Sequence, residues 1–234
     1  MKNIAIIPAR SGSKGLKDKN IKLLDGKPLL VYSVEAALRS EKFDVVHVST
    51  DSEKYADIAR RFGADVQFLR SAETSSDTSS SWDAVREVIE NYSILGKTFD
   101  TFMLLQPTSP LRTEKDIAEA YECLIKKQAN SIVSVCETEH SPLNCNILPT
   151  DASLVGFIDN KHLNTPRQML DTYYRLNGAI YLSKTDYFLT TNDIYSEKCY
   201  AYIMDKKRSI DIDDQLDFDI AEAIIIKYKL GLTT

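Results

Sequence analysis

The sequence predicts an α/β fold with a doubly wound, mostly parallel sheet and one small insertion. Short apolar runs alternate with segments of helical periodicity through the first 136 residues, as they do in successive β-α units. The chain has 234 residues, 43% of them hydrophobic and 27% charged, an ordinary composition for a globular protein with a sizeable core. The alternation fails in residues 137–174, so we expect that segment to stand apart from the sheet.

The first half of the chain supplies strands and helices in strict alternation. An Ile-rich run ends at Pro8, and Pro28 suits the first turn of a helix with apolar residues at helical spacing. Gly63 ends the second helix, and Thr113 with Asp116 forms a capping pair for the fourth. The predicted strands are residues 3–7, 45–49, 66–69, 101–105 and 132–135, and the predicted helices are residues 28–38, 53–62, 82–92 and 113–127.

The second half resumes the alternation after the insertion, with strands at residues 179–182 and 200–203 and a terminal helix at 214–229. We therefore expect one main domain, residues 1–136 with 175–234, and an insertion over residues 137–174. The apolar residues of the insertion have weak periodicity and cannot easily be buried against their own domain; they are Leu154, Val155, Phe157 and Ile158. Burial against a second copy is the simplest solution, so the segment predicts a homodimer.

Charge and composition exclude several classes of protein. The net charge of −5 argues against a nucleic-acid binder, and no apolar run approaches the roughly 20 residues of a membrane span. The first ten residues do not suit a signal peptide, because their apolar stretch is short and no small-residue cleavage site follows. Four scattered cysteines and three histidines argue against a zinc site and favour a reducing cytoplasm.

Positive charge is concentrated near the N-terminus, where residues 1–40 carry eight Lys or Arg against three Asp or Glu. In PARSGSKGLKDKN, residues 8–20, Gly12 and Gly15 permit close approach of backbone N–H groups to an anion, and Arg10 with three lysines adds charge. The loop predicts a triphosphate site; the alternative is a solvated basic loop. It lacks the spacing of a P-loop and of a dinucleotide fold, which argues against a kinase, an ATPase and a nicotinamide oxidoreductase.

Two further clusters are candidates for chemistry. Asp211 and Asp213 alternate with isoleucines, so on a strand both carboxylates would project from one face, where they would suit a divalent cation. The alternative is an acidic first turn of the last helix. The run LLQPTSPLR, residues 104–112, predicts a rigid polar platform at the end of a strand, and its alternative is a plain strand-to-helix turn.

Six motifs, in this order, carry a resemblance to a known family. They are IIPARSGSKGLKDKN, RSAETSSDTSSS, LLQPTSPLR, PRQ, RLNGAIY and SIDIDDQLDF, and they extend over nearly the whole chain. Together they resemble the acylneuraminate cytidylyltransferases, also called CMP-sialic acid synthetases. The resemblance implies the α/β sheet of the nucleotide-diphospho-sugar transferases, with an insertion that serves dimerisation and contributes to the sugar site.

The resemblance also implies roles for the matching residues. The nucleotide site would comprise Arg10, Ser13, Lys14, Lys19, Asn20, Arg70 and Ser81, with Lys19 near the α-phosphate of CTP. The sugar site would comprise Gln106, Thr108, Ser109, Arg167, Gln168, Arg175, Asn177 and Tyr181. Asp211 and Asp213 would bind Mg²⁺ or Mn²⁺, and the catalytic residues would be Lys19, Arg10, Lys14 and Asp213.

The implied reaction converts CTP and a nonulosonic acid into the CMP-sugar and pyrophosphate. N-acylneuraminate is the expected acceptor; legionaminic, pseudaminic or a related acid is an alternative, and PRQ and NGAIY argue against 3-deoxy-manno-octulosonate. A non-catalytic regulator that binds CTP or the sugar is a second alternative, and the presence of Lys19 and both aspartates argues against it. Two residues differ from the usual sequence of the family, and both lie in the part that recognises the sugar. They are Asn144, where many members have lysine, and Asp171.

Overall fold

The computed structural model describes residues 1–12, 15–76, 78–159, 161, 166 and 169–229. The strands in these ranges are β1 Asn3–Pro8, β2 Leu23–Leu24, β3 Lys27–Pro28, β4 Val45–Ser49, β5 Thr101–Leu104, β6 Ser131–Glu137, β7 Tyr174–Lys184 and β8 Cys199–Ile203. The helices are α1 Leu29–Ser40, α2 Glu53–Arg61, α3 Ser81–Ile94, α4 Glu114–Lys126, α5 Thr185–Thr191 and α6 Gln215–Lys229. None of these helices combines the length and the apolar character that a membrane crossing requires.

Six of the strands form one sheet in the order β4-β1-β5-β7-β6-β8. β1 runs parallel to β4 and β5, and β6 runs parallel to β8, whereas β7 is antiparallel to both of its neighbours. The other five strands therefore point in one direction, and their carboxyl ends share one edge of the sheet. The predicted mostly parallel α/β sheet is confirmed.

Helices cover both faces of this sheet, as the alternating burial of β1 shows. Ala5 and Ile7 pack into a core cluster with side chains of α1, α2 and α4, whereas Ile4 and Ile6 pack with side chains of α3 and α5. A third cluster contains side chains of α6 and β2 together with Ile212. The last helix is thus docked beside the segment that carries the two predicted metal ligands.

The prediction of a strand over residues 66–69 is wrong. The structure has an isolated bridge just before it, between Asp65 and His47 of β4. Beyond that bridge the ring of Phe68 packs 4.8 Å from the ring of His47, and the amide of Arg70 donates to the carbonyl of Thr50 at 2.8 Å. The chain therefore leaves the sheet before a ladder can form. The short helix α5 was not predicted, because its seven residues show no clear apolar period.

The insertion lies between β6 and β7, so the structure places it at residues 138–173. Its described residues include a 3-10 turn, Pro142–Asn144. Leu154 and Val155 are exposed, Val155 to 96%, whereas Phe157 and Ile158 are partly buried. The described part of the insertion therefore leaves apolar side chains uncovered within one chain. Its part in dimerisation stays a prediction.

Candidate functional site

A cavity of about 430 Å³ opens at the edge where the parallel strands end. Pro8 ends β1, and residues 106–108 come shortly after β5, so two neighbouring strands deliver the chain to this cavity. The predicted site residues among its lining are Arg10, Lys19, Asn20, Arg70, Ser81, Gln106, Thr108 and Asp213. Candidates for the nucleotide, the sugar and the metal therefore meet at one place.

Polar contacts hold the loop after β1 in position. The amide and the hydroxyl of Ser11 donate to the carboxylate of Asp51, at 2.7 and 2.8 Å. The buried Asn20 donates from Nδ2 to the carbonyl of Arg10 at 3.1 Å. These bonds fix the path along which Arg10 enters the cavity. Two other predicted loop residues lie outside the described residues: Ser13 and Lys14.

Lys19 connects this loop to the acidic segment near the C-terminus. Its ammonium group donates to the carbonyl of Ile212 at 2.6 Å and lies 3.5 Å from Oδ1 of Asp213. Gly15 packs directly against the same segment, since a Cβ there would lie 2.9 Å from the carbonyl oxygen of Asp213. The Lys19 side chain is only 13% exposed, whereas that of Asp213 is 84% exposed. A mostly buried cation therefore lies beside a solvent-facing carboxylate at the cavity wall.

Arg10 and Arg70 bring further positive charge to the cavity. Arg70 is 8% exposed, and it donates through Nε to the hydroxyl of Thr74 at 3.4 Å and through Nη2 to the carbonyl of the same residue. Arg10 donates from Nη1 to the carbonyl of Ser75 at 3.3 Å. Burial lowers the pKa of Arg70; the charge of Arg10 adds to this shift, and that of Glu87 opposes it. An anion bound near both arginines would offset their repulsion.

Asp211 has a buried carboxylate oxygen, Oδ1, without a hydrogen-bond partner among the described residues. Burial raises the pKa of Asp211 and the charge of Asp213 adds to this, while a hydrogen bond from Thr108 and the charge of Lys19 oppose it. A divalent cation stabilises such a pair of carboxylates. The two aspartates therefore fit a metal ion that takes its remaining ligands from substrate or water. The described part of the chain contains no cluster of three or more Asp, Glu, His or Cys that could hold one alone.

The prediction that Asp211 and Asp213 lie on a strand is wrong. Residues 209–213 do not pair along a ladder; the amide of Ile212 instead donates to the carbonyl of Thr108 at 2.8 Å. The alternating burial is nevertheless present, because Ile212 is fully buried and Ile210 is partly buried in the third core cluster. The isoleucines anchor the segment, and the aspartates remain on its other side.

A bulge in β7 lies next to the acidic segment. The register of β6 against β7 shifts between Val133 and Val135, so residues 177–180 lie opposite Ser134 alone. The hydroxyl of Ser134 fills the gap, since it accepts a backbone hydrogen bond from the bulge at 2.8 Å and donates to Oδ1 of Asn177 at 2.6 Å. These hydrogen bonds hold the bulge in place within the sheet.

Gly178 is the point at which this bulge meets the candidate site. Its φ is +72°, and a Cβ there would lie 2.5 Å from Oε1 of Gln106, 3.3 Å from Oδ2 of Asp211 and 3.6 Å from Oγ of Ser109. A side chain at this position would need both an unfavourable backbone conformation and space that polar groups occupy. Glycine thus allows three predicted site residues to converge on the backbone of β7.

Four predicted sugar-site residues do not line the cavity: Ser109, Arg175, Asn177 and Tyr181. Nδ2 of the buried Asn177 donates to the hydroxyl of Ser209 at 2.9 Å, and Arg175 donates to the carbonyl of Ser209 at 3.2 Å. Tyr181 packs edge-on against Trp82 with ring centroids 5.6 Å apart, and burial raises the pKa of Tyr181 to about 12. Two more lie outside the described residues: Arg167 and Gln168.

Sequence reasoning missed Arg112 as a residue that builds the site. Arg112 is 3% exposed and donates from Nη1 to the carbonyls of Gln106 and Ala179, at 3.3 and 3.0 Å, and from Nη2 to the hydroxyl of Ser33 at 2.5 Å. Burial lowers the pKa of Arg112 to about 10, against the opposing charge of Asp116. Arg112 joins the end of β5 to the bulge of β7. Arg112 is the last residue of the LLQPTSPLR motif, and an arginine that follows an apolar strand is the sequence feature that indicates such a role.

Comparison with known proteins agrees with this arrangement. The model of the family described as cytidylyltransferase matches residues 4–224. The N-acylneuraminate cytidylyltransferase of Escherichia coli O18:K1:H7 is 42% identical to this chain over 95% of it. The CMP-N,N'-diacetyllegionaminic acid synthase of Legionella pneumophila is 35% identical, over 96% of this chain and 97% of its own length. The chain spans about half the length of the Escherichia coli relative, 52%.

A solved structure supports the same fold. The structure of CMP:2-keto-3-deoxy-manno-octonic acid synthetase complexed with CTP superposes with a TM-score of 0.71, over 97% of this chain and all of the other. At 16% sequence identity this likeness speaks for the architecture alone. The sheet and its helices therefore have the same overall architecture as that solved structure.

Proposed function

The chain belongs to the cytidylyltransferase family, and on that premise we propose that it transfers CMP from CTP to N-acylneuraminate with release of pyrophosphate. The observation that carries the proposal is the cavity that Lys19, Arg10, Arg70 and Asp213 line together. Asp211 does not line it, but its carboxyl lies close enough to feel the charges of Lys19 and Asp213. Basic side chains suit the oxygens of a triphosphate, and carboxylates suit the cation that accompanies it.

The reaction would be an in-line displacement at the α-phosphorus of CTP. The anomeric oxygen of the sugar forms a bond to that phosphorus and releases its proton, while the bond to the bridging oxygen of pyrophosphate breaks. Negative charge then grows on the phosphoryl oxygens and on the leaving group. Lys19 would stabilise it, because burial and the bond to the carbonyl of Ile212 hold its ammonium group in place beforehand. Arg10 and Lys14 would add to this field.

A divalent cation, Mg²⁺ or Mn²⁺, is proposed at Asp211 and Asp213. The unpartnered Oδ1 of Asp211 supports this, as does the raised pKa of that carboxyl. Such an ion supplies charge neutralisation on the phosphates and acidifies a hydroxyl close to it. The two carboxylates would hold it, and Lys19 would limit their mutual repulsion.

Sugar recognition is proposed for the wall of the cavity near Gln106 and Thr108, completed by the insertion. Arg167, together with Gln168, would bind the sugar carboxylate, since a guanidinium pairs with a carboxylate through two parallel hydrogen bonds. The side chains behind this wall would shape it from within the protein rather than contact the sugar; they are Ser109, Arg175, Asn177 and Tyr181.

The identity of the acceptor is the finer part of the proposal. The relative with 42% identity supports N-acylneuraminate, whereas the Legionella relative, matched over 97% of its own length, supports a legionaminic acid as the alternative, and pseudaminic acid is a third candidate. Asn144 and Asp171 lie in the insertion, where a difference between these sugars would be recognised.

We further propose that the protein is a homodimer that works in the cytoplasm. The exposed Leu154 and Val155 support an interface formed by the insertion. All four cysteines are free, as they are in a reducing compartment. Sedimentation of the wild-type protein tests the assembly, and a stable, fully active monomer would contradict it.

A pyrophosphate-release assay with CTP and a panel of nonulosonic acids tests the reaction and the acceptor together. We expect N-acylneuraminate to give the highest kcat/KM. A protein that binds CTP and releases no pyrophosphate with any acid would be the non-catalytic regulator instead. Arg167→Ala should raise the KM for the sugar and leave that for CTP nearly unchanged; an unchanged sugar KM would remove Arg167 from the carboxylate site.

A further inference from the structure

Glu87 of α3 fastens the Ser/Thr-rich segment that follows Arg70, residues 71–80. Oε1 of Glu87 accepts a hydrogen bond from the amide of Ser71 at 2.7 Å, and Oε2 accepts one from the hydroxyl of Thr74. One half-buried carboxylate thus holds the first part of the segment at two points. Glu87 lies outside the RSAETSSDTSSS motif, so the resemblance gives it no role.

Thr74 passes this constraint on to the arginines of the cavity. The hydroxyl of Thr74 also accepts from Nε of Arg70 at 3.4 Å, and the carbonyl of Thr74 accepts from Nη2. The next carbonyl along the chain, that of Ser75, accepts from Nη1 of Arg10 at 3.3 Å. Two consecutive carbonyls therefore orient both arginines, and Glu87 holds the segment that carries them.

The three side chains form a polarised relay. The hydroxyl of Thr74 donates to the carboxylate of Glu87 and accepts from the guanidinium of Arg70, so each hydrogen bond strengthens the other. Arg70 is 8% exposed, and the charge of Glu87 favours the charged form of this buried group. The guanidinium is therefore held in a fixed orientation at the cavity wall before any ligand arrives.

We propose that Glu87 is a positioning residue for the nucleotide, which presets Arg70 and Arg10 through Thr74 and the 71–80 segment and thereby sets the affinity for CTP. The inference rests on the proposed function, because it takes CTP to be the occupant of this cavity. Glu87 acts through the arginines rather than on the reacting atoms. Its loss should therefore weaken CTP binding far more than it slows the chemical step.

Isothermal titration of CTP in the absence of sugar, with thermal unfolding of each variant, is the measurement. Glu87→Ala should weaken CTP binding roughly tenfold or more, the scale of one hydrogen bond to a charged group. Glu87→Gln keeps an acceptor for Ser71 and a polar partner for Thr74, so it should recover most of the affinity. The matched control is Glu90→Ala, which removes an exposed carboxylate one turn further along α3 and should bind CTP as the wild type does.

A double-mutant cycle separates positioning from a general loss of structure. In an Arg70→Ala background, Glu87→Ala should weaken CTP binding clearly less than it does in the wild type, because the segment then orients only Arg10, through the carbonyl of Ser75. Thr74→Val removes the hydroxyl of the relay from the loop itself, and it should weaken CTP binding severalfold even if Glu87→Ala fails to fold.

Two results would overturn the inference. The first is a CTP affinity of Glu87→Ala or Thr74→Val that equals that of the wild type. The second is that the losses of CTP binding free energy caused by Glu87→Ala and Arg70→Ala are fully additive. A wild-type protein that binds no CTP would overturn the proposed function as well, so the titration of the wild type distinguishes the two failures.

Discussion

Replacement of Gly178 by alanine tests how closely the bulge of β7 is packed against the candidate site. At φ +72° an L-residue costs roughly 1–2 kcal/mol, which corresponds to a decrease in Tm of about 2–8 °C in a chain of this length. The new Cβ would also lie 2.5 Å from Oε1 of Gln106 and 3.3 Å from Oδ2 of Asp211. The flexible Gln106 can rotate away at small cost to stability, and Asp211 must shift by a few tenths of an ångström.

These displacements should lower activity far more than stability. A misplacement of about 1 Å can lower a rate roughly 100-fold, so we expect kcat/KM for pyrophosphate release to fall about 10- to 100-fold in Gly178→Ala. The matched control is Gly96→Ala, where φ is +75° and no described atom lies within 4 Å of the added Cβ. That variant carries the same backbone strain without the contact, so its Tm should fall by a similar amount while its activity is retained.

Thermal unfolding and steady-state kinetics of both variants decide the matter. If Gly178→Ala keeps kcat/KM within roughly threefold of Gly96→Ala, the close approach of Gln106 and Asp211 to the bulge has no part in the reaction, and the reasoning is refuted. Equal losses of activity in the two variants would assign the effect to backbone strain instead.

Three further predictions concern single side chains. Lys19→Ala should lower kcat by about 100- to 1,000-fold while CTP still binds, because one preorganised charge is lost; kinetics beside a CTP titration checks this, and a loss under roughly threefold contradicts it. Asp213→Asn should shift the activation curve to higher free Mg²⁺, since an amide is a poorer ligand for a hard cation, and an unchanged curve would leave Asp213 as a helix-start acid. Burial lowers the pKa of His47 from 6.5 to about 4. Between these pH values the unfolded chain binds more protons than the folded chain, so the free energy of unfolding should fall by about 3 kcal/mol as the pH drops from 6.5 to 4. Urea unfolding across this range should show a steeper slope in the wild type than in His47→Gln, since carboxyl groups contribute equally to both; equal slopes would contradict the prediction.

The layers of the fold could be predicted because apolar periodicity reports the burial of each element separately. The position and direction of β7 in the sheet could not be predicted. A strand with both faces buried has the same apolar pattern at the centre and at the edge of a sheet, and in either direction. The same ambiguity explains residues 209–213, where alternating isoleucines and aspartates suggest a strand. Ile210 and Ile212 are indeed anchored, but the backbone partner of Ile212 is a single carbonyl, that of Thr108.

The candidate site was predictable where a charged residue follows a strand directly. Arg10 and Gln106 reach the cavity because β1 and β5 end beside it. The orientation of a side chain within a motif could not be predicted in this way. Asn177 belongs to RLNGAIY, yet its amide is bonded to Ser134 and Ser209 inside the protein. Such contacts join residues far apart in the sequence, and no local pattern records them.

The central position of β7 also has a consequence for synthesis of the chain. β1, β4 and β5 leave the ribosome well before β7, which later pairs with β5. Until then Thr101–Leu104 is an unpaired edge whose four residues are all buried in the finished sheet, and such edges template aggregation. Fragments that end within the insertion should therefore be insoluble. A protein divided there should recover activity only when both pieces are expressed together.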